Sequence, residues 1–132
     1  MDFIKELDDS VKTIESLTTY PSILGGRVKT LHPKVFGGIL GRLQNEKDVE
    51  EMKQYEIPAF DLVIVDLYPF EETVKKTDDP AQIIEKIDIG GISLIRAGAK
   101  NFNEVVIVPD SKYYLEFMEL YKNQDGCTSI ED

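Results

Sequence analysis

The chain has 132 residues, of which 42% are hydrophobic and 30% are charged, and its 25 acidic and 15 basic residues give a formal net charge of −10. This size and composition predict one modest domain with a hydrophobic core. The acidic balance argues against general nucleic-acid binding, which needs a cationic surface, and no apolar run approaches the length of a membrane span. Cys127 is the only cysteine, which excludes an intrachain disulfide and disfavours a thiolate metal site. We therefore expect a cytoplasmic protein without nucleic-acid or membrane partners.

The first predicted elements are one or two helical turns at residues 2–8 and a short strand with a turn at residues 10–22. Apolar residues and glycines then recur over residues 35–43. The polar stretch at residues 45–57 predicts an amphipathic helix that ends before Pro58.

Acidic residues are absent from two long windows of this acidic chain. The first window, residues 16–45, carries the cations Arg27, Lys29, Lys34 and Arg42. The second, residues 89–103, carries Arg96 and Lys100. Such windows predict a local positive field that suits an anionic ligand, although a buried glycine-rich segment that excludes carboxylates would give the same pattern.

Residues 62–65 form a continuous aliphatic run, which is typical of a central parallel strand buried on both faces. This strand would present Asp66 and Tyr68 beyond its carboxyl end, where ligands bind in open α/β sheets. Residues 104–108 predict a second buried strand.

Three helices are predicted in the remaining sequence. Asp79 is the expected N-cap of the first, with Pro80 at its first position. The second follows the glycine pair at residues 90–91. Its apolar face carries Ile92, Ile95 and Ala99, whereas Arg96 and Lys100, which are four residues apart, share another face. The third, at residues 111–122, has an aromatic stripe that we expect to be core.

Four motifs occur in one order along the chain: GGRVKTLHPKVFGGIL at 25–40, DLVIVDLYPFEETV at 61–74, EKIDIGGISLIRAGAKN at 85–101 and VVIV at 105–108. They resemble the IMP cyclohydrolase domain, the N-terminal half of the bifunctional purine-biosynthesis proteins that combine AICAR formyltransferase and IMP cyclohydrolase. The resemblance covers residues 11–131, almost the whole chain.

The resemblance implies an α/β fold of the methylglyoxal-synthase-like kind, a Rossmann- or flavodoxin-like domain with a parallel sheet in three layers. The family domain opens with a strand, a helix and a glycine-rich phosphate-binding turn, which have no counterpart in this sequence. We therefore expect residues 1–132 to be a single partial domain that lacks this first unit and is truncated at both ends. A homodimer, and a formyltransferase domain normally in the same chain, are also implied.

The implied reaction is closure of 5-formamidoimidazole-4-carboxamide ribonucleotide to IMP with loss of water, the last step of de novo purine biosynthesis, without cofactor or metal. The site must hold the carboxamide nitrogen against the formyl carbon, remove its proton and stabilise an oxyanion. By resemblance, the catalytic residues are Lys29, Tyr68, Asp88 and Lys100. The implied substrate-binding residues are Arg27, Thr30, Asp66, Gly90, Gly91 and Arg96.

Individual roles follow from the residue types once the family is named. A lysine and a tyrosine together could relay a proton, Asp88 could accept from the carboxamide N–H groups, and Lys100 could donate a proton or stabilise the oxyanion. The N–H groups of the glycine pair, at a helix start, could form the oxyanion site. His32 is expected to be structural or supporting, and Asp66 stands where many relatives are expected to have asparagine, which would alter a substrate hydrogen bond.

Structural roles compete with each of these interpretations. Lys29 could be a surface lysine, Tyr68 could close a strand, Asp88 could cap the following helix, and Arg96 with Lys100 could form a solvated face. Two other functions also stay open: a methylglyoxal-synthase-like domain that binds a phosphorylated regulator or eliminates phosphate from a triose phosphate, and a catalytically incompetent fragment.

Overall fold

A computed structural model describes residue 8 and residues 10–129, so most of the helical turns predicted at residues 2–8 lie outside the described residues. The helices and strands are α1 (Ile14–Thr18), α2 (Pro33–Leu40), α3 (Glu46–Gln54), β1 (Leu62–Ile64), α4 (Phe70–Lys76), α5 (Pro80–Glu85), α6 (Gly90–Lys100), β2 (Val106–Val108) and α7 (Tyr114–Asn123). Short 3₁₀ turns occupy Leu24–Gly26 and Ser111–Tyr113. In this part of the chain, no helix has the length and apolar character that a membrane crossing requires.

The two strands pair in parallel, with Leu62 opposite Val106 and Ile64 opposite Val108. The hydrogen bond from the N–H of Val65 to the carbonyl of Val108, at 2.9 Å, continues the pairing beyond β1. Both strands lie where the aliphatic runs predicted them. The α/β class with a parallel sheet is therefore confirmed.

The prediction that both faces of the first strand are buried is wrong for β1. Leu62 and Ile64 are 36% and 52% exposed, whereas Val63 between them packs against the core. Side chains alternate between the faces of a strand, and α6 covers the face that carries Val63. Among the described residues, nothing equivalent covers the other face of β1.

The core lies between α2, α6 and the sheet. Its buried centre consists of Val35 and Ile39 from α2, Ala97 from α6 and Val105, which precedes β2. At the start of α2, the ring of His32 is the N-cap: its Nδ1 accepts a hydrogen bond from the N–H of Lys34 at 3.1 Å. This contact agrees with the structural role expected for His32.

The predicted strand at residues 10–22 is wrong, because this segment contains α1. The hydroxyl of Thr13 caps the helix by accepting from the N–H of Ser16, and Ile14 and Leu17, one helical turn apart, pack against the core. The β-branched residues of this segment favour a strand. A helix forms because capping and core contact outweigh that local preference.

Asp79 caps α5 and Pro80 is its first residue, as predicted.

The buried face predicted for α6 is wrong at two positions. Ile92 and Ala99 are exposed, whereas Ala97 and Gly98 are buried. The prediction of a core position for the third helix is also wrong. None of the residues of α7 is buried, and α7 instead borders a cavity of about 430 Å³ against β2.

Candidate functional site

Tyr68, Asp88 and Gly91 meet where β1 ends and α6 begins. One carboxylate oxygen of Asp88, Oδ1, accepts a hydrogen bond from the N–H of Gly91 at 2.6 Å. The other, Oδ2, accepts from the N–H of Tyr68 at 3.3 Å. The first N–H groups of a helix lack partners within it. One oxygen of this carboxylate therefore caps α6, while the other holds the loop after β1.

Gly91 and Gly90 allow two further segments to approach this corner. A Cβ atom on Gly91 would lie 2.6 Å from Leu67 Cδ2 and 2.9 Å from Asp88 Oδ1, so only glycine fits without movement. A Cβ atom on Gly90 would lie 2.9 Å from the hydroxyl of Thr30. We call Thr30, Tyr68, Asp88, Gly90 and Gly91 the β1–α6 corner.

A tight turn delivers Thr30 and its neighbours to the corner. Gly25 and Gly26 have φ angles of 67° and 90°, which side-chain-bearing residues rarely adopt, so the glycine pair permits the turn. A single antiparallel bridge between Ile23 and Val28 closes it. The segment that follows therefore leaves the turn in a defined direction toward α6.

In the folded structure, carboxylates from other segments lie beside the cations of the first acid-free window. Three of its four cations form ion pairs with carboxylates from outside the window: Arg27 with Glu85, Lys34 with Glu56 and Arg42 with Asp48. Among the described residues, Lys29 alone of the four has no ion pair. Ion pairs therefore weaken the local positive field predicted for this window, and Lys29 is the cation of the window that is left for a ligand.

The pairing has electrostatic consequences. The hydrogen bond and charge of Arg27 lower the pKa of the Glu85 carboxyl. Hydrogen bonds from Arg42 lower the pKa of Asp48 to about 2. The pKa of Glu15 is lowered chiefly by the hydrogen bond from the hydroxyl of Ser22, and a smaller part comes from the charge of Lys29.

Sequence reasoning missed one cation at the corner. The ammonium Nζ of Lys86 lies 5.2 Å from the centre of the Tyr68 ring. Lys86 is inside the EKIDIGG motif, but the motif alone does not reveal which ring the side chain covers. The lysine whose ammonium lies over the Tyr68 ring is thus Lys86.

Lys100 lies away from the corner. At 1.5 Å of rise per residue, Lys100 is about 15 Å along α6 from Gly90. Arg96 and Lys100 are both exposed and line a groove of about 560 Å³ between α2 and α6, together with Phe36, Leu40, Ser93, Ala97 and Ala99. We call it the α2–α6 groove.

The structure thus divides the predicted site residues into three sets. Tyr68, Asp88, Thr30 and the glycine pair come together at the corner. Arg27 is held by α5, and Arg96 and Lys100 lie in the groove. Asp66 is exposed just after β1, and its side chain makes no hydrogen bond with the described residues. Within the same residues, no three His, Cys, Asp or Glu side chains converge in a way that could hold a metal ion.

A family comparison agrees with this architecture. Residues 1–93 match the model of the MGS-like domain. Because this match covers more than half of the chain, the chain belongs to the MGS-like domain family.

Sequence comparison with individual proteins finds a more specific similarity. The bifunctional purine biosynthesis protein PurH of Bacteroides thetaiotaomicron is 57% identical over 98% of this chain and 26% of its own length. PurH of Aquifex aeolicus is 51% identical over 98% of this chain and 25% of its own length. The chain therefore spans about a quarter of these relatives, and the resemblance drawn from the four motifs is confirmed.

A solved structure matches as well. The crystal structure of ForH superposes with a TM-score of 0.76 at 36% sequence identity, covering 98% of this chain and 68% of that one. The similarity therefore extends to nearly every element of the chain.

Proposed function

We propose that this chain carries out the IMP cyclohydrolase reaction at the β1–α6 corner. The substrate would be the formylated carboxamide ribonucleotide, whose carboxamide nitrogen closes the six-membered ring with loss of water. One observation supports this proposal most: Asp88 joins Tyr68 to the start of α6 in a chain 57% identical to a PurH protein. The arrangement collects a carboxylate, a phenol and a helix N-terminus at one point.

The corner offers what the reaction requires. The carboxylate of Asp88 has lone pairs beyond the two N–H groups that it accepts, and these can bind the carboxamide N–H groups and orient the nitrogen for attack. The phenol of Tyr68 can pass on the proton that the nitrogen loses. The N-terminus of α6 carries partial positive charge, which favours the oxyanion that develops on the formyl oxygen.

Cations would complete the binding of the nucleotide. Lys29, which has no ion pair among the described residues, can contact the anionic part of the substrate. Arg27 can do so once it leaves Glu85, since both side chains of this pair are more than half exposed. Thr30 beside Gly90 adds a hydroxyl donor at the same place.

Lys100 requires a second chain in this proposal. About 15 Å of helix separates it from the corner, so we assign the proton transfers to corner residues of one chain and the contribution of Lys100 to its partner in a homodimer. The PurH relatives are named as bifunctional, and we also propose that this domain normally belongs to a longer polypeptide with the formyltransferase, in the cytoplasm.

The test is turnover. The purified chain is mixed with the formylated nucleotide, and IMP formation is followed by absorbance. We expect Lys29→Ala and Asp88→Asn to lower kcat about a hundredfold or more, on the order of what one positioned acid–base group contributes. Lys53→Ala, an exposed lysine at the end of α3, is the matched control and should leave kcat unchanged. A chain that is folded by circular dichroism but forms no IMP would contradict the proposal.

A further inference from the structure

We propose that Lys86 is a positioning residue for Tyr68: its ammonium over the aromatic ring holds the phenol against the corner. The inference rests on the proposed function for its kinetic consequence, and its geometric part stands without it.

Separate contacts hold the backbone and the ring of Tyr68. Its N–H donates to Oδ2 of Asp88 at 3.3 Å, which fixes the backbone. Tyr68 is 58% exposed, and the Lys86 ammonium lies 5.2 Å from the centre of its ring. This distance is inside the range of about 6 Å in which a cation is attracted to an aromatic face.

The position of Lys86 is itself well defined. It is the C-cap of α5, where its N–H donates to the carbonyl of Ile83 at 3.1 Å. A helix C-terminus favours a cation. Among the described residues the Lys86 ammonium forms no ion pair, and the carboxyl that its charge acts on, Glu85, is already bound by Arg27. The ammonium is therefore available to the ring, and the backbone that carries it is anchored.

The segment from Glu85 to Asp88 makes contacts on both sides of the corner. Glu85 binds Arg27, Lys86 covers Tyr68, and Asp88 follows two residues later. The end of α5 thus connects the turn at residues 24–26 to the end of β1. Loss of the Lys86 contact would leave the Tyr68 backbone in place and free only the ring.

A free ring has a specific kinetic effect. A proton relay needs its hydroxyl within hydrogen-bond reach of the reacting group, and a ring that samples other rotamers spends less time there. Because exposed cation–π contacts are weak, we expect kcat to fall by about two- to fivefold, with little change in KM.

The first experiment is spectroscopic and independent of activity. In the chain labelled with ¹³C-lysine, the ε-methylene protons of Lys86 should be shifted upfield by the Tyr68 ring current, and Tyr68→Leu should abolish the shift. Lys112 over Tyr113, with 4.8 Å between Nζ and the ring centre, is the matched control and should be unaffected by Tyr68→Leu. An Lys86 resonance that Tyr68→Leu does not move would overturn the proposal.

The second experiment separates the two proposals. We expect Lys86→Met to lower kcat, Lys86→Arg to restore most of it, and Lys112→Met to leave it unchanged. An upfield shift without turnover in the wild type would mean that Lys86 positions the ring while the proposed function fails. Turnover that Lys86→Met does not reduce would overturn the positioning role.

Discussion

At the scale of single residues, Gly91 sets the tightest steric limit at the corner. A methyl group there would meet Leu67 Cδ2 at 2.6 Å and the Asp88 carboxylate at 2.9 Å. At the neighbouring Gly90 it would meet only the hydroxyl of Thr30, which can rotate away. The two adjacent glycines therefore differ in how well each position accommodates an added methyl group.

We predict that Gly91→Ala lowers the free energy of unfolding by about 1–3 kcal/mol through overpacking. Gly90→Ala should be neutral, since replacing glycine in a helix removes backbone freedom from the unfolded chain. Urea denaturation of both variants measures the difference. Equal midpoints for the two variants would show that the close packing at Gly91 is absent.

Asp48 gives a prediction on acid stability. Hydrogen bonds from Arg42 lower the pKa of its carboxyl from 3.8 to about 2. A lowered pKa stabilises the folded state above the unfolded value, and this stabilisation is lost as the pH falls through the folded value. Asp48→Asn should therefore have a lower Tm than the wild type above pH 5, with the difference vanishing between pH 4 and pH 2.

Thermal melts from pH 7 to pH 2 test this prediction. The control is Asp78→Asn, which changes an exposed carboxylate whose side chain forms no hydrogen bond with the described residues. Its Tm should follow that of the wild type. A Tm difference for Asp48→Asn that stays constant down to pH 2 would contradict the role of the ion pair.

At the scale of elements, Asn101 joins the ends of two helices. Its buried side-chain amide donates to the carbonyl of Ile39 at 2.9 Å and to that of Gly41 at 3.0 Å. The last carbonyls of a helix have no partners within it. The residue that ends α6 therefore satisfies carbonyls at the end of α2.

We predict that Asn101→Ala lowers the free energy of unfolding by about 2 kcal/mol, because it leaves buried acceptors unsatisfied. Asn103→Ala, two residues further along and exposed, is the matched control and should change stability by less than about 0.5 kcal/mol. Chemical denaturation followed by circular dichroism distinguishes the two. A neutral Asn101→Ala variant would contradict the account of how α2 and α6 are joined.

The elements show how far the sequence predicts the fold. Both strands and the capped helix α5 follow from local signals, namely an aliphatic run and an N-cap before proline. Local signals do not predict secondary structure or exposure that depends on contact with another element. Residues 14–18 are helical because they dock on the core, and Ile64 is exposed because only one face of β1 is covered.

At the scale of the whole molecule, charge in space differs from charge in sequence. The window around Arg27 and Arg42 contains no acids, yet each pairs with a carboxylate, from α5 and α3 respectively. The motifs identified the residues of the corner, but the contact of Lys86 with Tyr68 and the distance of Lys100 depend on tertiary packing. Spacing along the chain cannot reveal either.

The separation of Lys100 from the corner predicts complementation between chains. A 1:1 mixture of Lys100→Ala and Asp88→Asn chains should recover about a quarter of wild-type activity, because half of the dimers are mixed and each of these has one intact site. Neither variant alone should reach this level of activity. A mixture without activity would show that Lys100 does not act across a dimer.

The most direct test of the central claim is to locate a bound nucleotide. The ¹⁵N-labelled chain is titrated with IMP, and the amide chemical shifts are followed by NMR. The account predicts that the largest changes occur at Thr30, Tyr68 and Gly91, with the Lys86 amide nearby also affected. Changes confined to Ser93, Arg96 and the rest of the α2–α6 groove, or no changes at millimolar IMP, would contradict it.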